Sequence, residues 1–248
     1  MSAPADRNPI HAAGRSGSDV RHSKEDALDT RQFELLMDGA AELARSPYYY
    51  DPDPEFIIYT LGRLGLRRGE LVHLREEWVD WRSKMIEIPA HDPCDFGKDG
   101  GICGYCEQLA RQRVEYADGD LTLPEAREWV WVPKTNAASR DIYFGFDARA
   151  ELFIERYFSS EEYDRVEVSG AAINRRGKQA ADRAPELDPD RLSPHKLRAT
   201  AATYHAGRGL ETLSLMQMFG WVSPETAEIY VGRNGKNTAR QLDAIHTG

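Results

Sequence analysis

Two Ser-Pro steps, Ser193-Pro194 and Ser223-Pro224, limit what this chain can fold into more than any other feature. Serine is a good N-cap and proline suits the first helical position, so each step starts a helix. Between them lie a glycine turn at Gly207 and Gly209, a short apolar helix and Phe219-Gly220-Trp221. From the first step, His195 and Arg198 fall three apart near a helix start and share one face. Backbone N–H groups at such a start attract an anion, to which an imidazole adds a proton donor and a guanidinium a bidentate clamp. Tyr230, seven residues beyond Ser223, is the candidate nucleophile for a phosphodiester held there.

Two further boxes lie upstream. Leu64-Gly65-Leu66-Arg67-Arg68-Gly69-Glu70-Leu71 ends one helix and begins the next, and Trp131-Val132-Pro133-Lys134-Thr135-Asn136 followed by Ser139-Arg140-Asp141-Ile142 reads as a hairpin. Taken with His195-x-x-Arg198, Trp221 after Gly220 and Tyr230 nine residues later, they resemble the signature of the tyrosine recombinases, the integrase family of phages and mobile elements. The likeness covers roughly residues 30 to 246, and with its Cys-rich insert it is similar to integrase-like proteins of salt-loving archaea and their viruses.

The resemblance implies an α+β, mostly helical catalytic domain with a small three-stranded antiparallel sheet. It implies a site-specific recombinase that cuts and rejoins DNA through a 3′-phosphotyrosyl intermediate. On that basis Tyr230 attacks phosphorus, Arg67 and Arg198 clamp the non-bridging oxygens, His195 assists proton movement and Lys134 protonates the departing 5′ oxygen. Trp221 stands where most relatives have His, and its indole N–H can still donate to phosphate. No cofactor is expected for the chemistry. The partners implied are double-stranded DNA and further copies of the chain, joined on DNA through the C-terminal tail. An accessory DNA-binding protein is also expected, because the segment before the catalytic region is too short for the helical domain with which relatives grip the far side of the duplex. The competing readings are a catalytically idle DNA-binding regulator of the same fold and a type IB topoisomerase-like relaxer.

Composition bounds these expectations. The chain has 248 residues, enough for a substantial core, with 41% hydrophobic side chains and no apolar run of membrane-spanning length or signal-peptide centre, so a cytoplasmic protein is expected. A net charge of −9 and a pI near 5.3 exclude a general nucleic-acid sponge. The charge is uneven: residues 131–248 carry 16 basic and 16 acidic side chains, so the whole excess of acid lies upstream. A local basic groove on an acidic body is therefore allowed, and an acidic surface suits a salty cytoplasm.

In chain order, residues 1–28 read as a disordered arm and 29–248 as the catalytic domain. An amphipathic helix follows Asp29, then a loop with Tyr48, Tyr49 and Tyr50, a buried helix from Phe56 to Leu64 stopped by Gly65, and a helix from Gly69 to Glu77. An Arg beside so apolar a helix must pair with an acid or a ligand, and Glu70 is the candidate partner. Met85–Ile88 reads as a strand, and Trp129–Val132 with Asp141–Phe144 as two more.

An insert at residues 91–106 holds all three cysteines. His91, Cys94, Cys103 and Cys106 have metal-ligand spacing and read as a structural Cys3His zinc knuckle, with Asp92, Asp95 or Asp99 as alternative fourth ligands and free thiols or a redox pair as the plainer readings. Helices are expected at 107–117, 121–127, 147–158 and 169–184, the last bearing Arg175, Arg176 and Lys178 as DNA-backbone contacts, or simply as a solvated face. A short helix at 238–246 closes the chain.

Overall fold

The computed structural model describes residues 26–46, 52–117, 119–159 and 164–231, together with 242, 243 and 246. Most of the expected arm, the loop with Tyr48–Tyr50 and most of the expected helix at 238–246 lie outside the described residues. Leu28, placed in the arm by composition, is buried, and its N–H donates to Thr200 Oγ1 at 2.9 Å.

Ten α-helices and three short strands make up the described fold. Asp29 accepts from Gln32 N–H to open α1 (Thr30–Ala44) as expected, whereas α2 (Pro54–Gly62) starts two residues before the expected Phe56, capped by Asp53, which accepts from Glu55 N–H. Asp147 opens α6 (Ala148–Phe158), Ser169 opens α7 (Gly170–Arg183), and Ser193 opens α8 (Pro194–Gly207) by accepting from Lys196 N–H. α2, buried at every residue but Glu55, packs among α1, α6, α7 and α8. The main core gathers there, with Phe33, Phe56, Ile58 and Leu61 nearly inaccessible.

The expected single helix from Gly69 to Glu77 is divided. α3 (Arg68–Val72) lasts five residues, after which the backbone leaves helical geometry to bond residues 164–166: Val166 N–H donates to Leu74 O and Glu76 N–H to Asp164 O, both at 2.8 Å. Strands β1 (Val79–Asp80), β2 (Met85–Ile88) and β3 (Arg140–Tyr143) form an antiparallel sheet in the order β1-β2-β3. Ile86 pairs with Ile142 and Ile88 with Arg140, all four on the buried face.

Residues 129–132 are not a strand of that sheet. β2 occupies the edge of β3, and Trp131 instead exchanges two backbone hydrogen bonds with Asp92, at 3.0 and 2.6 Å, pinning the insert. The insert continues as α4 (Gly104–Tyr116) and α5 (Leu123–Glu128). A second, smaller core lies under α8, α9 (Thr212–Phe219) and α10 (Pro224–Val231), where Ala199, Ala201, Ala202 and Ala206 let the helices approach closely. No helix among the described residues is long and apolar enough to cross a membrane.

Candidate functional site

The site is assembled around the C-terminal end of α9. Gly220 closes that helix in the left-handed conformation, φ +55°, and a Schellman pair follows, with Gly220 N–H on Gln217 O at 3.2 Å and Trp221 N–H on Met216 O at 2.9 Å. The carbonyls of Met218, Phe219 and Gly220 are left over, at the negative end of the helix. Three guanidiniums take them. Arg140 Nε donates to Met218 O at 2.7 Å, Arg67 to Phe219 O and Gly220 O at 3.1 and 2.9 Å, and Arg198 to Phe219 O and to Gly65 O.

Glu70, 1% exposed, is the acid that holds this group together. It accepts from both terminal nitrogens of Arg140 at 2.8 and 2.9 Å, from Arg67 Nη1 at 2.7 Å and from the Arg67 backbone N–H at 2.7 Å, capping its own helix start. Burial pushes its carboxyl up, but the Arg140 guanidinium, with Arg198 and Arg67, outweighs burial and holds it at about 2. Three cations therefore face one carboxylate. Burial, and then the neighbouring Arg67, push Arg198 well below the ordinary guanidinium value. A site with that imbalance favours an added anion.

The space for one is present. A cleft of about 530 Å³ is lined by Arg67, Arg68, His195 and Arg198 with Asn174 and Lys178 of α7. Its acid, Asp190, pairs with Lys178 at 2.9 Å. The Asn174 Oδ1 is buried without a hydrogen-bond partner. Tyr230, not itself among the lining residues, is 7% exposed, its ring stacked on Trp221 at 5.1 Å and 11°, while Trp221 stacks on Phe219 at 4.9 Å. Tyr230 is close enough to interact electrostatically with Arg198. The structure thus brings Arg67, His195 and Arg198 to one cleft, with Trp221 and Tyr230 adjoining. Lys134 is exposed on the loop before β3 and does not line the cleft. Its loop is nevertheless fixed to the site, because the turn Asn136–Ala138 packs on Gly220 and β3 begins at Arg140.

Two expectations are corrected. Arg176 is buried and donates to Pro52 O at 2.6 Å, so it is a strut between α7 and the entry of α2 rather than a DNA contact, whereas Arg175 and Lys178 on the same helix are exposed. His91 is not the histidine of the cysteine cluster. Its Nε2 lies 3.2 Å from Glu128 O and its ring is against Trp129. The fourth group is His73, at the end of α3: its Nε2 and the Sγ atoms of Cys94, Cys103 and Cys106 all lie within 4.8 Å of one another, and these residues could hold a metal ion. His73 escaped notice because it stands 21 residues before Cys94, outside local ligand spacing. Arg140 stands in the hairpin box with no role of its own, although an Arg alternating with Ile142 on an inward strand face signals a buried charge.

Known proteins agree with this architecture. No family model matches the chain. Tyrosine recombinase XerC of Corynebacterium glutamicum is 34% identical over 83 residues, 33% of this chain and 27% of that protein. The Tn1549 transposon integrase bound to circular intermediate DNA superposes with a TM-score of 0.57 at 16% identity, over 88% of this chain and 66% of that one. The same integrase bound to transposon right end DNA gives a TM-score of 0.56 over 90% of this chain. The chain spans about a quarter of the curated relative and just under two thirds of the integrase. Its fold is that of a tyrosine recombinase catalytic domain.

Proposed function

We propose that this chain is a site-specific DNA strand transferase of the tyrosine recombinase type, acting on double-stranded DNA in the cytoplasm. The observation that carries the reading is the convergence of Arg67 and Arg198 on one carbonyl, Phe219 O, beside a cationic cleft, with the buried Tyr230 within electrostatic reach of Arg198. A scissile phosphate in the cleft takes donors from both guanidiniums, which are rigidly supported and therefore stabilise the charge of the pentacoordinate transition state without reorganising.

Tyr230 Oη attacks phosphorus and its proton leaves with help from His195. The bond to the 5′ oxygen breaks, that oxygen takes a proton from Lys134, and the 3′-phosphate remains on the tyrosine. Attack on that ester by a 5′-hydroxyl rejoins DNA by the reverse steps. Arg175 and Lys178, exposed on α7, supply backbone contacts. Cooperation between copies through the C-terminal tail belongs to this reading, as does a structural zinc ion at the Cys/His cluster.

The test is covalent trapping on nicked duplexes drawn from a randomised pool, at high and low salt. The expected result is a DNA–protein adduct that Tyr230→Phe abolishes while DNA binding persists. Binding without any adduct, or an adduct that survives Tyr230→Phe, overturns the enzymatic reading, and the former outcome leaves the idle DNA-binding regulator.

A further inference from the structure

The Cys/His cluster and the arginine centre are two ends of one short element. Arg67 is the N-cap of α3, Glu70 lies in its middle and His73 is its C-cap. A five-residue helix has almost no stability of its own, so tertiary contacts decide where it sits. At the Arg67 end those contacts are the Glu70–Arg140 pair and the α9 carbonyls. At the other end they are the cluster.

The donor geometry there fits a tetrahedral ion. His73 Nδ1 lies 2.8 Å from Gly69 O, and since a carbonyl can only accept, Nδ1 carries the proton and Nε2 presents a lone pair. Nε2 stands 3.5, 3.6 and 3.3 Å from the sulfurs of Cys94, Cys103 and Cys106. Zinc bonded tetrahedrally to one imidazole and three thiolates would space nitrogen and sulfur about 3.5 Å apart, from bond lengths of about 2.0–2.1 and 2.3 Å. Backbone N–H groups also point at sulfur: Cys103 N–H to Cys94 Sγ at 3.4 Å and Cys106 N–H to Cys103 Sγ at 3.5 Å, as thiolates require. The insert presses on α3 directly as well. A Cβ on Gly69 would meet the ring of Tyr105 at 3.3 Å, and Trp131 stacks on His73 at 5.3 Å.

We infer that Cys94, Cys103, Cys106 and His73 bind one zinc ion, and that this ion is a clamp which sets α3, and through it Arg67 and Glu70, in register with the carbonyl end of α9. The inference rests on Arg67 as a phosphate ligand for its functional consequence, but not for its structural one. As the ion binds, each thiol gives its proton to solvent and His73 keeps the one on Nδ1, so the centre closes with four protein ligands and no open position. His73 is thus a positioning residue for Arg67.

Metal analysis and zinc titration against a chromophoric chelator, on the full chain, are expected to give one zinc per molecule, unchanged in His91→Ala, weakened by about 10-fold or more in His73→Ala, and retained in His73→Cys, which restores four ligands. Hydrogen exchange provides the readout of positioning. Removing zinc from the wild type is expected to speed exchange in peptides covering residues 67–74 while peptides of α1 and α10 keep their protection, and His73→Cys with zinc restores the slow pattern. In the trapping assay, zinc removal is expected to lower adduct yield by about 100-fold, the cost of a misplacement near 1 Å.

A chain that binds no zinc, a His91→Ala variant that loses it, or exchange that rises uniformly through the fold on zinc removal would each overturn the clamp. If the local exchange pattern follows zinc but neither form ever traps DNA, the clamp stands and the strand-transfer reading fails.

Discussion

At the scale of single residues, the site depends on one carboxylate held among guanidiniums. Glu70→Gln leaves Arg140 buried opposite a neutral amide, and a loss of about 3–5 kcal/mol in denaturant unfolding is expected. The pH dependence follows from the same pair. The Glu70 carboxyl is held at about 2 in the fold, against an ordinary value of 4.5, so the stabilisation is fully present above the ordinary value and fades as pH falls through the folded one. The wild-type advantage over Glu70→Gln should therefore shrink by about 3 kcal/mol between about pH 5 and pH 2, as measured by unfolding across that range. Arg198 serves two backbone carbonyls through separate nitrogens. A lysine cannot reproduce that fork, and Arg198→Lys is expected to slow adduct formation by about 10²–10³-fold, read by trapping kinetics.

Elements were legible in the sequence wherever a local signal decided them. Asp29, Asp147, Ser169 and Ser193 mark helix starts by side chains that reach only two or three residues, and all four cap in the fold. Residues 129–132 carry the composition of a strand, yet their partner is the insert, a choice made by Trp131 stacking on His73 and Trp78 that no local pattern encodes. The same limit explains the site. Arg67, His195 and Arg198 stood out through their spacing, whereas His73, Arg140 and the burial of Arg176 depend on chain segments that meet only after folding. Gly220 joins both kinds of information: its sequence context reads as a helix stop, and the fold adds that a Cβ there would lie 2.7 Å from Ala137 O and Ala138 Cα. Gly220→Ala is expected to cost about 1–3 kcal/mol from backbone conformation alone, and to move the turn ahead of β3, detectable as a lower melting temperature with reduced trapping.

For the whole molecule, a cationic cleft on a body of net charge −9 confines the proposed DNA contact to a local patch. Arg68 is exposed at the cleft and makes none of the carbonyl contacts of its neighbour Arg67. Arg68→Ala should therefore weaken binding to all sequences alike and reduce the slope of log affinity against log salt by about 0.9, measured by titration across salt concentrations. The aromatic column Phe219–Trp221–Tyr230 bears on when the proposed strand transfer would begin. Tyr230 is buried in that column, and in the proposed reaction moving its ring toward phosphorus gives up a ring contact worth about 0.5–1.5 kcal/mol before any bond is made. On that reading, stray DNA that merely touches the surface does not return that energy, whereas a fully seated duplex does. On the proposed function, the stack is a restraint on accidental nicking.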